Sequence, residues 1–248
     1  LYNMGLSLIF LEDLVPAEDY FLKALKYIPN HSDSLHWIAY INFRKGQLST
    51  AQDHYLSSLK SHPRSHTSIN GCIHFFIEQG LNGEEINSFL NKNGVQLKAN
   101  EHFYLQLADS VNVTINSNIS FSLIGIDPRS TMQKSINNYG CYEPLMVKKI
   151  LDHVGESDIV YDIGAHVGYY SCIFNHVTKS KEVVSLEPDF YSSNLIKKNT
   201  NERGIIVNKF IGSELGRNIT TLSELSSKLS LEPSVIKMDI EGFEVEAF

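Results

Sequence analysis

The spacing of hydrophobic positions changes along the chain and divides it. Up to about residue 92 the chain has helical character and repeats itself. From Val111, VNVTIN and ISFSLIG alternate apolar with polar residues around Ser117 and Asn118, which predicts a β-hairpin. Helical spacing returns from about Thr131. In YEPLMVKKILDHV, Pro144 near the start and the stripe of Leu145, Val147, Ile150, Leu151 and Val154 predict an amphipathic helix. Next, DIVYDIGAHVGYYS runs from a β-branched and aromatic stretch through Gly164 and Gly168 into YYSCIFNHV at helical spacing: strand, glycine turn, helix. KEVVSLEPDF then supplies a second strand ending on Glu187 and stopped by Pro188, YSSNLIKKNTNERG a helix closed by Gly204, and IIVNKF a third strand. In SVIKMDIEGFEVEAF a fourth strand places Lys237 and Asp239 on one side and Met238 and Ile240 on the other. This alternation of β and α predicts a right-handed, doubly wound parallel sheet.

The first region is periodic at 34 residues, through Leu1 and Leu35, Ala17 and Ala51, Phe21 and Tyr55, and Pro29 and Pro63. In each unit the small residue suits a close helix crossing, the aromatic four positions later faces the same way, and the proline ends the second helix. A third unit, from Ile69 through Gly80 to about Lys92, has Glu85 in place of the small residue and reads as a degenerate capping unit. With Gly5 and Gly46 also at small-residue positions, the pattern resembles the tetratricopeptide (TPR) repeat. That resemblance implies stacked helix pairs with a concave surface for a protein or peptide partner; a helical spacer that only oligomerises is the alternative. The expected division is a TPR-like repeat domain over 1–92, a connector over 93–110 and an α/β domain over 111–248.

Composition narrows the classes. The 248 residues are 42% hydrophobic and 20% charged, enough to bury a core. A net charge of -7 argues against a general nucleic-acid surface, which needs clustered Lys and Arg. Cys72, Cys141 and Cys172 show no metal spacing and form no even set, so free thiols in the cytoplasm are expected. No run of 18 apolar residues and no cleavable leader is present, so no membrane span is expected. Trp37 and the histidines around it (His36, His54, His62, His66, His74) lack a zinc pattern and read as packing and surface residues.

The chemistry centres on the glycine turn. In an open α/β sheet such a turn lies beside the crevice at the strand's carboxyl end, where a cofactor sits at a helix N-terminus. A dinucleotide fingerprint fails here, because Asp162 and Val167 occupy its two outer glycine positions. Asp162 instead suits a cationic ligand group, and Asp-x-Gly-x-x-x-Gly after a first strand is the pattern of S-adenosylmethionine methyltransferases. The alternative is a glycine-bearing connection in an unrelated α/β protein. Glu187, 25 residues after Asp162, is placed to accept ribose hydroxyls, or else caps a helix. Asp239 and Glu241 end the fourth strand at the topological switch point, as base, acceptor or metal groups. Their bland reading is an ion pair with Lys237.

Taken together, YEPLMVKKIL, DIVYDIGAHVGYYS, VVSLEPDFYSSNLIKKN and VIKMDIEGFEVE resemble the FkbM-type S-adenosylmethionine-dependent methyltransferases. The resemblance implies a Rossmann-like methyltransferase sheet and methyl transfer to a hydroxyl of a sugar, glycan or natural product. It implies S-adenosyl-L-methionine contacts at Asp162, Gly164, Gly168 and Glu187, with Tyr142 and Glu143 closing over the cofactor. His166 stands where the family often has Asn, which still offers a polar contact. Asp239 is the expected general base, with Glu241 second, and no metal is expected. A complete fold of this class carries three further strands, so the chain, which starts at Leu1 without Met, reads as a fragment whose sheet is truncated at its C-terminus. Activity is then expected of the parent protein. The competing functional reading is a TPR interaction protein whose methyltransferase domain is inactive.

Overall fold

The computed structural model describes residues 1–179 and 182–240 together with Gly242 and Glu244. It contains helices and a parallel sheet, in two compact units: Leu1–Asp109 and Ser110–Phe248.

The first unit is built of consecutive helices: α1 (Tyr2–Phe10), α2 (Leu14–Tyr27), α3 (Ser32–Arg44), α4 (Leu48–Ser61), α5 (His66–Glu78) and α6 (Gly83–Lys92). The 34-residue period reappears as geometry. Adding 34 to the bounds of α2 gives those of α4, and adding 34 to those of α3 gives those of α5. Even the caps repeat: His31 and Ser65 each accept the backbone N–H three residues on. Ala17, Ala51, Phe21 and Tyr55 are all fully buried. A Cβ on Gly5 would lie 2.6 Å from the Phe21 ring, so α1 and α2 meet there at glycine distance.

The third pair departs from the first two, and Glu85 shows why. At the position of Ala17 and Ala51 it does not fill a helix crossing; it closes a capping box with Asn82 at the start of α6. A 3-10 helix, Ala99–Ala108, packs against both α5 and α6 instead. Val95, Leu97, Tyr104 and Leu105 are buried there, and the His66 ring bonds the Tyr104 hydroxyl at 2.7 Å. The stretch 93–109, which the sequence reads as a connector, falls within the first compact unit and buries these side chains there.

His36 is 2% exposed, edge-on to the Trp37 and Tyr55 rings, and its Nδ1 has no hydrogen-bond partner among the described residues. Burial pushes its pKa down to about 4. The imidazole is therefore neutral in the folded unit, and protons bind the unfolded chain first. Stability is complete above about pH 6.5 and falls as the pH drops toward 4, by roughly 3 kcal/mol in all. Urea titrations of the protein between these limits should show the loss, and His36→Phe should remove most of it.

The second unit opens with the hairpin of β1 (Val111–Thr114) and β2 (Ser120–Leu123), whose turn is pinned by the Asn116 side chain accepting from the Asn118 and Ile119 N–H groups. Then follow α7 (Thr131–Tyr139), α8 (Pro144–His153), β3 (Val160–Ile163), α9 (Tyr169–Val177), β4 (Val183–Leu186), α10 (Phe190–Asn199) and β5 (Ile205–Val207). After the two-residue strands β6 (Phe210–Ile211) and β7 (Ile219–Thr220) come α11 (Leu222–Leu229) and β8 (Val235–Met238). The main sheet is parallel, in the order β5-β4-β3-β8. Its direction of growth reverses at β3, the condition that opens a crevice at the carboxyl ends of the strands.

The two faces of this sheet differ. Tyr161, Ile163, Val184 and Leu186 turn toward Leu225 of α11 and form an apolar core with Met238. On the other face the register aligns Asp162 with Ser185 on β4 and with Lys237 on β8, a polar row across three strands.

Candidate functional site

The row is wired together. Asp162 is fully buried, and its Oδ2 accepts from Ser171 Oγ at 2.6 Å; Ser171 in turn accepts from Ser185 Oγ at 2.8 Å. Lys237 Nζ lies 3.3 Å from Asp162 Oδ1, paired by charge without hydrogen-bond alignment, since that oxygen has no hydrogen-bond partner among the described residues. The ammonium donates to the Gly164 carbonyl at 3.4 Å and stands 4.9 Å over the Tyr170 ring. The cation that Asp162 was expected to take from a ligand is therefore supplied by the chain itself. The same geometry corrects the reading of Lys237, whose partner is Asp162 and not the carboxylate of Asp239. The Asp239 carboxylate is exposed, with no side-chain hydrogen bond or ion pair among the described residues. Ser171 and Ser185 were missed in the sequence, although each is a small polar residue inside an otherwise apolar buried run.

The turn after β3 is shaped by packing. Gly164 has φ +75, and a Cβ there would sit 1.9 Å from the Asp239 carbonyl oxygen. Gly168, at φ +88, starts α9 and abuts the backbone of Ile196. Both glycines are required by the fold itself, which brings the end of β8 and the side of α10 against the turn. His166 lies between them with φ 51, a left-handed conformation that Asn and His tolerate better than most residues.

Glu187 closes the other side. It is 8% exposed just beyond β4, and its two oxygens accept the N–H groups of His166 and Asp189, each at 2.8 Å. Burial raises its pKa above the usual carboxylate value, against the pull of these two N–H groups. Each carboxylate oxygen keeps a further acceptor site. Asn208 braces the same corner by donating to the Glu187 and Pro188 carbonyls.

A strap over residues 140–143 runs in front of α9. The Tyr169 hydroxyl donates to the Tyr142 carbonyl at 2.8 Å and accepts the Tyr142 N–H at 2.9 Å, and the Tyr170 hydroxyl donates to the Glu143 carboxylate. Glu143 sits at φ 47 as the residue before α8, and it is exposed. The Tyr142 phenol is pushed up by burial and by the nearby charges of Glu143 and Asp239. The structure thus gathers Glu143, Asp162, Gly164, His166, Gly168, Glu187 and Asp239 at one edge, while Glu241 lies outside the described residues. A cavity of about 320 Å³, lined by Phe121, Asn175, His176, Asn199 and Arg203 among others, lies at the other end of α9 and shares none of them.

Among the described residues no helix is long and apolar enough to cross a membrane, and no group of three or more His, Cys, Asp or Glu could hold a metal ion. No model of a known protein family matches the chain, and no curated protein matches it either.

Proposed function

We propose that the second unit is a Rossmann-like, S-adenosyl-L-methionine-dependent methyltransferase domain of the FkbM type, acting on a hydroxyl of a sugar, glycan or natural-product acceptor. The observation that carries this reading is Glu187: a buried carboxylate at the end of the second strand, facing a glycine turn after the first, in a sheet of order β5-β4-β3-β8. Such a carboxylate suits the two hydroxyls of a ribose. The other groups at this edge fit as well. Glu143 and Asp239 are carboxylates, and Lys237 is neutralised by Asp162, so a cation with hydroxyls is favoured over a phosphate.

When bound, the sulfonium supplies a methyl group already activated for displacement. The chain's part is to hold and to deprotonate. Glu187 accepts the ribose hydroxyls, the turn from Gly164 to Gly168 lies against the adenosine side, and Asp239 takes the proton of the acceptor hydroxyl. The helical unit, in this reading, is a TPR-type surface for a protein or peptide partner.

A second reading has its own support. Asp162 is paired in charge by Lys237 of the same chain, and both glycines are explained by packing, so the turn requires no ligand. The protein would then act through its helical repeats alone. Calorimetry separates the two. On the methyltransferase reading the protein binds S-adenosylmethionine or S-adenosylhomocysteine and ignores NAD, and Glu187→Ala weakens binding roughly 10- to 100-fold, the loss of hydrogen bonds to a charged acceptor. No heat with either adenosyl ligand would leave the interaction reading standing.

A further inference from the structure

We infer that Tyr170 is a positioning residue, which fixes the Glu143 carboxylate at the mouth of the crevice so that it receives the ammonium group of the ligand's amino-acid moiety. This rests on the methyltransferase reading of the same site. Tyr170 is the second residue of α9, directly after the glycine turn, and only 6% exposed. Its hydroxyl reaches out of that buried position to Glu143 Oε2. Glu143 is the opposite case: exposed, without an ion-pair partner among the described residues, and held in a left-handed conformation that costs a non-glycine residue energy. A strained, solvent-facing acid persists where its surroundings over-determine it. Here they do, because the neighbouring Tyr169 clamps Tyr142 by both its N–H and its carbonyl.

Two successive tyrosines of one helix turn therefore pin two successive residues of the strap. The Tyr169 bonds go to main chain and fix the strap's path, whereas the Tyr170 bond goes to the carboxylate and fixes its aim. The ring of Tyr170 is also anchored from behind, since Lys237, paired with Asp162, stands over its face. The Tyr170 phenol donates to Oε2 and so holds the carboxylate in one orientation at the edge of the crevice. Among the described residues, the titratable groups that face Glu143 are the phenols of Tyr142, Tyr169 and Tyr170, with Asp239 also near Tyr142. None of these is a cation, so among the described residues the Glu143 carboxylate is left open to the ligand's ammonium group.

The test compares two neutral-sulfur nucleosides on the full chain: S-adenosylhomocysteine, which carries the ammonium, and 5′-methylthioadenosine, which lacks it. Tyr170→Phe keeps the ring and removes the hydroxyl. It should weaken S-adenosylhomocysteine about 10-fold and change 5′-methylthioadenosine by less than about 2-fold. Glu143→Gln should show the same selectivity, and the double variant should lose little more than either single one, because both act on one interaction. Equal losses for both nucleosides would reduce Tyr170 to a packing residue and overturn the assignment. So would unchanged S-adenosylhomocysteine affinity in Tyr170→Phe. If the unaltered chain bound neither nucleoside, the methyltransferase reading itself would fail and this role with it.

Discussion

Lys237→Met is expected to destabilise the second unit by about 3 to 5 kcal/mol, the cost of leaving a buried charge without its partner. Asp162 is fully buried in the sheet, with Ser171 as its one side-chain hydrogen-bond donor among the described residues, so removal of the ammonium strands a buried carboxylate. The reverse change should be milder. Lys237 keeps a side chain 13% exposed and a long stem, and in Asp162→Asn it can swing toward solvent while Asn still accepts from Ser171. The double variant Asp162→Asn/Lys237→Met should recover most of the loss, because no unpaired charge remains. Urea melts of the three variants measure this coupling. Asp239→Asn is the control: an exposed carboxylate outside the pair should shift stability by less than about 0.5 kcal/mol. A loss of equal size in Asp239→Asn would mean that Lys237 serves the strand end and not the buried row.

Gly164→Ala should cost roughly 2 to 5 kcal/mol, combining the penalty of a left-handed alanine with overpacking. A Cβ 1.9 Å from the Asp239 carbonyl oxygen overlaps main chain, which cannot rotate aside as a flexible side chain would. Either the turn or the end of β8 must move. Since Asp239 N also donates to the Ile163 carbonyl at 3.0 Å, any such movement opens the β3–β8 ladder at its carboxyl end. Thermal unfolding should show the loss, and any ligand binding at this edge should weaken with it. Near-wild-type stability in Gly164→Ala would mean that the strand end gives way easily and that the glycine is kept for a ligand.

Much of this architecture is written locally. The 34-residue spacing of Ala17 and Ala51, and of Phe21 and Tyr55, fixes where each helix pair closes, because small and aromatic residues must recur in step for equivalent crossings to pack. The strand, turn and helix of DIVYDIGAHVGYYS follow from β-branching, glycine and a change of apolar period, and Glu187 falls at the end of β4 because Pro188 ends the strand. Alternation along VIKMD shows that Lys237 shares a face with Asp239.

What alternation leaves open is the neighbour. Sequence places a side chain on one face of its own strand, but the strand beside it, and the residue opposite, depend on sheet order and register. Only when β8 pairs with β3, with Lys237 against Asp162, does the ammonium gain a buried carboxylate 3.3 Å away in preference to the exposed one two residues along. The same holds for Ser171 and Ser185, 14 residues apart and joined only by the return of the chain through β4, and for Tyr170, which meets Glu143 across 27 residues. The stretch over 93–109 looks like a connector because its apolar residues have no helical period, yet they are buried on α5 and α6. Local pattern determined the elements and the face of each residue. The tertiary fold chose the partners, because burial makes an unpaired charge or hydroxyl too costly to leave alone and only long-range packing decides which groups are buried together.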